Sequence, residues 1–287
     1  MTESPQPTRR GRVVTLLLAA ALVAVVIRDG ADRRPADPSR PLIQWLSGTE
    51  STSDSDTLRI VSFNIHSGKG DGDVVDLRRT AKTLDKLDFA GLYEVRGGLL
   101  PNGNQAAQIS DNLYVLHSHS RSDCGSIFAA TETHWWREHF GNAVLSYCEL
   151  GTVQRIPLPG TRGKAFRNVV LSELPWRDRT VRILSTHIDR EDDREMQLEL
   201  VIALFLSLEP PAVLMGDLNT TIDDPQLTRL RERTDVASVL HDALPDGPPA
   251  DTIDWMFTRG LRTVSAELTE NAASDHPVLR AELALPE

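Results

Sequence analysis

Asp217 and Asn219 stand two residues apart in VLMGDLNTT, where an apolar run ends, and similar polar exits recur along the chain. Asn64 follows LRIVSF, Glu94 follows FAGLY, His187 follows VRILST, Asp254 follows ADTI, and Asp275 with His276 follows TENAAS. Each of these side chains can bind a metal, move a proton or donate to a phosphate. Taken singly, each has a milder reading as a helix cap or turn: Asp217 and Asn219 fit an Asx-turn, and His276 beside Pro277 fits a surface histidine. Taken jointly, they place chemistry at several strand ends, where a rigid sheet can hold side chains together at one rim. In extended backbone Asp217 and Asn219 point to one side and Leu218 to the core. Gly216 is expected to let the chain bend close to a substrate.

The elements that must position these residues follow from periodicity. LRIVSFNI (58–65) reads as a strand, residues 73–87 as a helix, and FAGLYEV as a second strand. A helical stretch around GNQAAQISDNL and a strand YVLHSHS lead to a hairpin of GSIFAAT (125–131) and GNAVLSYCEL (141–150). NVVLSELPW and TVRILSTHI pair around a turn at Arg177 and Asp178. Residues 192–208 form an amphipathic helix with acidic residues in its first turn, ended by Pro210 and Pro211. AVLMGDLN, TIDWMFTRG, TVSAELTE and HPVLRAELAL supply the remaining strands. Short paired strands with few helices predict an α/β fold, a four-layer α/β/β/α sandwich of two packed mixed β-sheets with helices on the outer faces.

SFNIH, LYEV, STHID, GDLN, TIDWMF and SDHPVL occur in an order and spacing that resembles the endonuclease/exonuclease/phosphatase superfamily, over residues 58–284. The resemblance implies hydrolysis of phosphoester bonds with Mg²⁺, or Mn²⁺ or Ca²⁺ in its place. Glu94 would be the main ligand, with Asn64 and Asp275 beside it, since hard cations prefer carboxylate and amide oxygens. Asp217 would activate water, Asn219 would hold Asp217 and donate to phosphate, and His276, oriented by Asp254, would face the phosphorus as a cation. His187 would supply a second donor or the leaving-group proton. Tyr93 stands where many members have Gln, and His66 where some place a metal-binding aspartate, so one metal is expected. Arg96 in EVR resembles a DNA-contacting arginine, or is an ordinary surface residue.

Composition bounds the partners. Of 287 residues, 40% are hydrophobic and 25% charged, as in ordinary globular chains. The first 40 residues carry seven basic and four acidic side chains, +3; the remainder carries 24 and 37, or −13. Such a surface disfavours tight non-specific binding to a polyanion, while a cation-assisted nuclease stays allowed. The expected partners are a phosphoester substrate (nucleic acid, phospholipid or small phosphoester) and a membrane through the N-terminal helix, with the protein a monomer. The loops 98–108 and 131–142, with Trp135, Trp136 and Phe140, are candidates for specificity, by stacking on bases or entering a lipid interface. The rival reading is a catalytically silent tethered binding module of the same fold.

TRRGR precedes VVTLLLAAALVAVVI (13–27), which closes at Arg28 and Asp29. It resembles a signal-peptide core or short anchor, and more weakly a twin-arginine signal. The expected organisation is a cytoplasmic basic segment and signal/anchor transmembrane helix over 1–28, a flexible linker over 29–57, and a catalytic domain over 58–287. The catalytic domain is then membrane-anchored and exported, periplasmic or extracellular, or secreted if the segment is cleaved. If Thr131 lies near Gly141 in the hairpin, Cys124 falls opposite Cys148, which allows a disulfide; two unrelated buried thiols are the other reading.

Overall fold

The computed structural model describes residues 9–31, 55–97, 104–117, 124–132, 139–160 and 166–286. Strands β1 (Leu58–Asn64), β2 (Phe89–Gly97), β3 (Gly125–Glu132) and β4 (His139–Ser146) begin one sheet. The second sheet holds β5 (Val153–Pro157), β6 (Asn168–Trp176), β7 (Arg179–His187), β8 (Ala212–Asp217), β9 (Ala237–Ser238) and β10 (Asp254–Arg259). The chain then returns to the first sheet with β11 (Arg262–Thr269) and β12 (Val278–Ala284). The strand orders are β11-β12-β1-β2-β4-β3 and β5-β6-β7-β8-β10-β9.

Alternation along β1 explains the layering. Leu58 and Ile60 face the large core shared with Val181, Ile183 and Leu214 of the second sheet. Val61 and Phe63 face outward into a smaller core. Helices α2 (Leu77–Thr83) and α3 (Gln105–Leu116) cover that outer face through Ala81, Ala106, Ile109 and Leu113. On the other side, α4 (Arg194–Ser207) buries Leu198, Val201 and Phe205 at helical spacing. Shorter helices α5 (Pro225–Arg231) and α6 (Val239–Ala243) complete the described domain. The expected four-layer sandwich is the fold.

Local departures have physical causes. The helix expected over 73–87 starts only after Asp76, whose side chain caps it by accepting from Arg79 N. YVLHSHS does not open as a strand: Asn104 caps α3, and the buried stripe Ala106, Ile109, Leu113 carries the helix through Tyr114, Val115 and Leu116. Residues 118–120 of that stretch lie outside the described residues, as do Trp45, 98–103, Trp135 and Trp136.

The hairpin register decides between the two readings of the cysteines. A bulge between Ala130 and Glu132 shifts the β3–β4 register, so Ala130, not Thr131, pairs with Gly141, and Gly125 pairs with Ser146. Cys124 then belongs to the outer core and Cys148 to the inner one, and both are buried thiols.

The apolar N-terminal run lies in a helix, α1 (Arg9–Ala31), with side chains exposed from Val13 to Ala24. No helix among the described residues is long and apolar enough to cross a membrane. The apolar run 13–27 rises roughly 22 Å, short of a ~30 Å hydrocarbon core, so the transmembrane expectation is not supported.

Candidate active site

Strand direction gathers the polar residues at one rim. β1 runs parallel to β2 with Asn64 beside Tyr93, and β7 runs parallel to β8 with His187 beside Asp217. β1, β7 and β8 end at the rim, while β2 bulges there at Glu94 and runs on to Gly97. β10 and β12 run the other way: Asp254 pairs with Asp217, and Ser62 with Leu279. Asp254 therefore opens β10, and Asp275 and His276 lead into β12, rather than following strands as their flanking sequence suggests.

Asp217 is the hub. It is 1% exposed, and its Oδ2 accepts from Asn64 Nδ2 at 3.0 Å and lies 3.4 Å from His187 Nε2 and 3.8 Å from His276 Nε2. Its Oδ1 accepts from Asn219 N at 3.0 Å. Asn219 adopts a left-handed φ of 46°, and its Nδ2 donates to Ile188 O at 2.9 Å. Asn219 thus holds Asp217 through its backbone, as an Asx-turn, and its amide keeps one further N–H. Leu218 is fully buried. Gly216 has a different task from the one expected: a Cβ there would meet Thr186 O at 2.1 Å, so glycine lets β7 and β8 approach.

His276 Nδ1 donates to Asp254 Oδ2 at 2.9 Å, which turns Nε2 towards Asp217 and to within 3.4 Å of Asn64 Nδ2. Asn64 Oδ1 accepts from His66 N, while Ser274 Oγ donates to Asn64 O and fixes the segment before His276. Asp275 is exposed and pairs with His66 at 3.2 Å. Glu94 sits in a bulge of β2 with a φ of 55°, which re-aims its half-buried side chain. Tyr93, beside it, is fully buried and bonds Ser62 and Ser185 through its hydroxyl. Burial raises its proton affinity, so it stays a neutral spacer between the sheets. Arg96 donates to Ser67 Oγ and lies over the Phe140 ring, 5.2 Å from its centroid.

Electrostatics divide the roles. Burial, then the nearby Asp254 charge, pushes Asp217 up to about 7 against the pull of His276 and Asn64. Burial likewise raises Asp254 despite its bond to His276. Burial lowers His276, but the hydrogen bond and charge of Asp254, with Asp217 and Asp275, outweigh it and hold the imidazole at about 9. His187 is driven well down by burial, then by Arg167 and His276, and is neutral.

Arg167 is the residue that motif reading passes over. It precedes β6, and its guanidinium donates to His187 Nδ1 at 3.1 Å, which leaves Nε2–H for Asp217. Burial lowers its affinity for its proton, while Glu94, Asp189 and Asp217 raise it. Its Nε has no hydrogen-bond partner among the described residues.

The donor chemistry fits a divalent cation. Asp217, Asp254 and His276 offer ligand atoms within 4.8 Å of one another. His276 already occupies Oδ2 of Asp254, however, and Asp217 is wrapped in donors. Glu94, Asp275 and Asn64 carry oxygens of the kind a hard cation prefers.

Solved structures share this fold. An endonuclease/exonuclease/phosphatase from Beutenbergia cavernae DSM 12333 is 22% identical, with 80% of this chain and 72% of that chain covered and a TM-score of 0.64. The human Nocturnin catalytic domain with bound sulfate anion is 16% identical over 83% and 98% of the two chains, at 0.59. Danio rerio TDP2 complexed with single strand DNA product is 14% identical over 80% and 99%, at 0.57. No curated protein matches the chain. Residues 61–276 match the Endonuclease/Exonuclease/phosphatase family, spanning every residue of the rim, and the chain belongs to that family.

Proposed function

We propose that this protein is a divalent-cation-dependent hydrolase of phosphoester bonds in which Asp217 takes the proton of the attacking water and His276 faces the phosphoryl oxygens as a cation. One observation carries the reading: two buried carboxylates on paired strands flank a single imidazole, Asp254 at 2.9 Å and Asp217 at 3.8 Å. A carboxylate held up near neutrality is a competent general base, and an imidazolium held at about 9 stays charged beside it. Asn64, His187 and the Asn219 backbone orient Asp217, and Arg167 fixes the His187 tautomer and offers Nε–H to a phosphate oxygen. Glu94, Asn64 and Asp275 would hold Mg²⁺, Mn²⁺ or Ca²⁺, which when bound polarises the phosphoryl group and stabilises the leaving oxygen. The family, and a relative complexed with a single strand DNA product, support a nucleic-acid or other phosphoester substrate. Basic residues ahead of an apolar run support an exported location. No site position carries an inert residue, which favours an enzyme over a silent binding module.

Full-length protein assayed with bis(p-nitrophenyl) phosphate and Mg²⁺ should turn over, and Asp217→Asn and His276→Ala should fold yet lose activity by about 10³-fold. Equal rates in wild type and both variants remove the reading. Plasmid DNA, sphingomyelin vesicles and inositol phosphates offered side by side identify the substrate class.

A further inference from the structure

Two amides are buried where the sheets meet, Asn142 of β4 and Asn168 at the start of β6, each 2% exposed. Asn142 Nδ2 donates to Asn168 Oδ1 at 2.9 Å and to Asn168 O at 3.0 Å. Asn168 Nδ2 donates to the carbonyls of Ala129 and Ala130 in β3, at 3.2 and 3.1 Å, just ahead of the bulge in that strand. Thr186 Oγ1, one residue before His187, also donates to Asn168 O, at 2.9 Å. Asn168 is thereby tied to two strands of the first sheet and to β7 of the second. An amide nitrogen carries two N–H groups. Both are engaged by carbonyls here, so Asn168 has none to offer a substrate.

Stability does not call for such a cluster. Burying an amide costs free energy that its hydrogen bonds only offset, and apolar side chains of similar shape can fill the same space at little net loss. What the bonds add is geometry. A fully satisfied buried network holds one arrangement, whereas the apolar contacts of the surrounding core, with Ile127, Val144, Val169 and Val170, have no direction. The residue that gains is Arg167, the next one along the chain. Its carbonyl is held by Leu158 N at 2.9 Å, beside β5 at the edge of the second sheet; Asn168 supplies a tie to the first sheet. Arg167 must keep its guanidinium 3.1 Å from His187 Nδ1 while its Nε–H stays without a protein partner among the described residues. We propose that the Asn142–Asn168 pair is a positioning device for Arg167, fixing where its guanidinium stands beside His187. The inference rests on the hydrolase reading and deepens it, giving the phosphate contact an anchor in both sheets.

The test is a double-mutant cycle on kcat/KM for bis(p-nitrophenyl) phosphate, with full-length protein, Mg²⁺ and folded fractions matched by circular dichroism. Asn168→Ala should lower kcat/KM by about tenfold in the wild-type background, the effect of a displacement short of an ångström. In the Arg167→Met background, where the positioned group is gone, the same change should cost less than about twofold. Inhibition by inorganic phosphate should weaken in Asn168→Ala by a similar factor. Tyr93→Phe, which removes the hydroxyl bridge between Ser62 and Ser185 of the two sheets, should have the same small effect in both backgrounds. Equal losses from Asn168→Ala in the two backgrounds reveal a merely structural role and overturn the proposal, as does the absence of a loss in the first. Should Asn168→Ala not fold, Asn142→Ser carries the same cycle with the same criteria. If the wild type hydrolyses nothing, the hydrolase reading fails separately, and the imidazole nitrogen resonances of His187, identified by their loss in His187→Gln, decide the positioning. Nδ1 should then move in Asn168→Ala at least halfway to its place in Arg167→Met; an unmoved Nδ1 overturns the proposal.

Discussion

Asp217 and His276 face each other with Oδ2 and Nε2 3.8 Å apart, one carboxylate poised to lose charge and one imidazole poised to keep it. The pair sets a pH window. A base held up to about 7 must be unprotonated and an imidazolium at about 9 must be protonated. The rate should rise through about 7, fall through about 9, and shift to lower pH on its rising limb as the cation is added. Asp254→Asn should pull the falling limb towards the ordinary histidine value near 6.5, because the charge and hydrogen bond that hold His276 up are gone. A kcat/KM profile from pH 5 to 10 checks both; an unmoved falling limb in the variant refutes the assignment.

The same groups make stability depend on pH. Asp217 and His276 both bind their protons more tightly folded than unfolded. The Asp217 contribution is present below its ordinary value of 3.8 and is lost as pH rises through about 7; that of His276 is present below 6.5 and lost through about 9. Cation-free protein should therefore melt at progressively lower temperature from pH 7 to 9, and Mg²⁺ should recover part of the loss. Asp217→Asn should raise the melting temperature of the cation-free protein in this range by several degrees, at roughly 2–4 °C per kcal/mol, while abolishing activity. Calorimetric scans across pH measure this.

Arg167→Met should lower kcat/KM by about 10²-fold, since it removes the donor to His187 and the unpartnered Nε–H. Arg167→Lys should recover less than half of that loss in free energy, because an ammonium cannot reach both positions at once. Inorganic phosphate inhibition should weaken in parallel, and a Met variant inhibited as strongly as wild type would rule out the phosphate contact.

Gly216→Ala should destabilise the domain by roughly 2–4 kcal/mol, measured by urea unfolding. The added methyl meets the Thr186 carbonyl, a backbone atom that cannot step aside without separating β7 from β8. Tyr93→Phe is the milder core change: Ser62 and Ser185 lose a common partner, which costs about 1–2 kcal/mol with activity kept within a few-fold.

What the sequence discloses follows from how each residue is held. Asn64, His187, Asp217, Asp254 and His276 were legible because an apolar strand on one side of each fixes its height in the sheet, and five such heights at one rim converge. Arg167 was not, because TRGKAFR reads as a basic surface loop. Its clue is adjacency: β6 pairs antiparallel to β7 with Val169 against Thr186, so a residue just ahead of β6 must emerge beside His187. The role of Asn219 was half legible, since alternation holds only while the chain is extended and its φ of 46° ends that one residue past Leu218. The two cysteine readings could not be separated in sequence for a countable reason, one bulged residue between Ala130 and Glu132, which shifts the hairpin pairs by one.

Two of the site's hydrogen bonds join different sheets. Asn64 belongs to the first sheet and reaches Asp217 in the second; Asp254 belongs to the second and is reached by His276 at the edge of the first. Neither sheet alone brings Asn64 to Asp217 or His276 to Asp254. The candidate site is thus a latch across the sandwich rather than a pocket cut into one wall. A slip of one sheet over the other by an ångström breaks both bonds together, so turnover reports whether the two halves are docked, and chemistry disappears before either sheet has lost a strand.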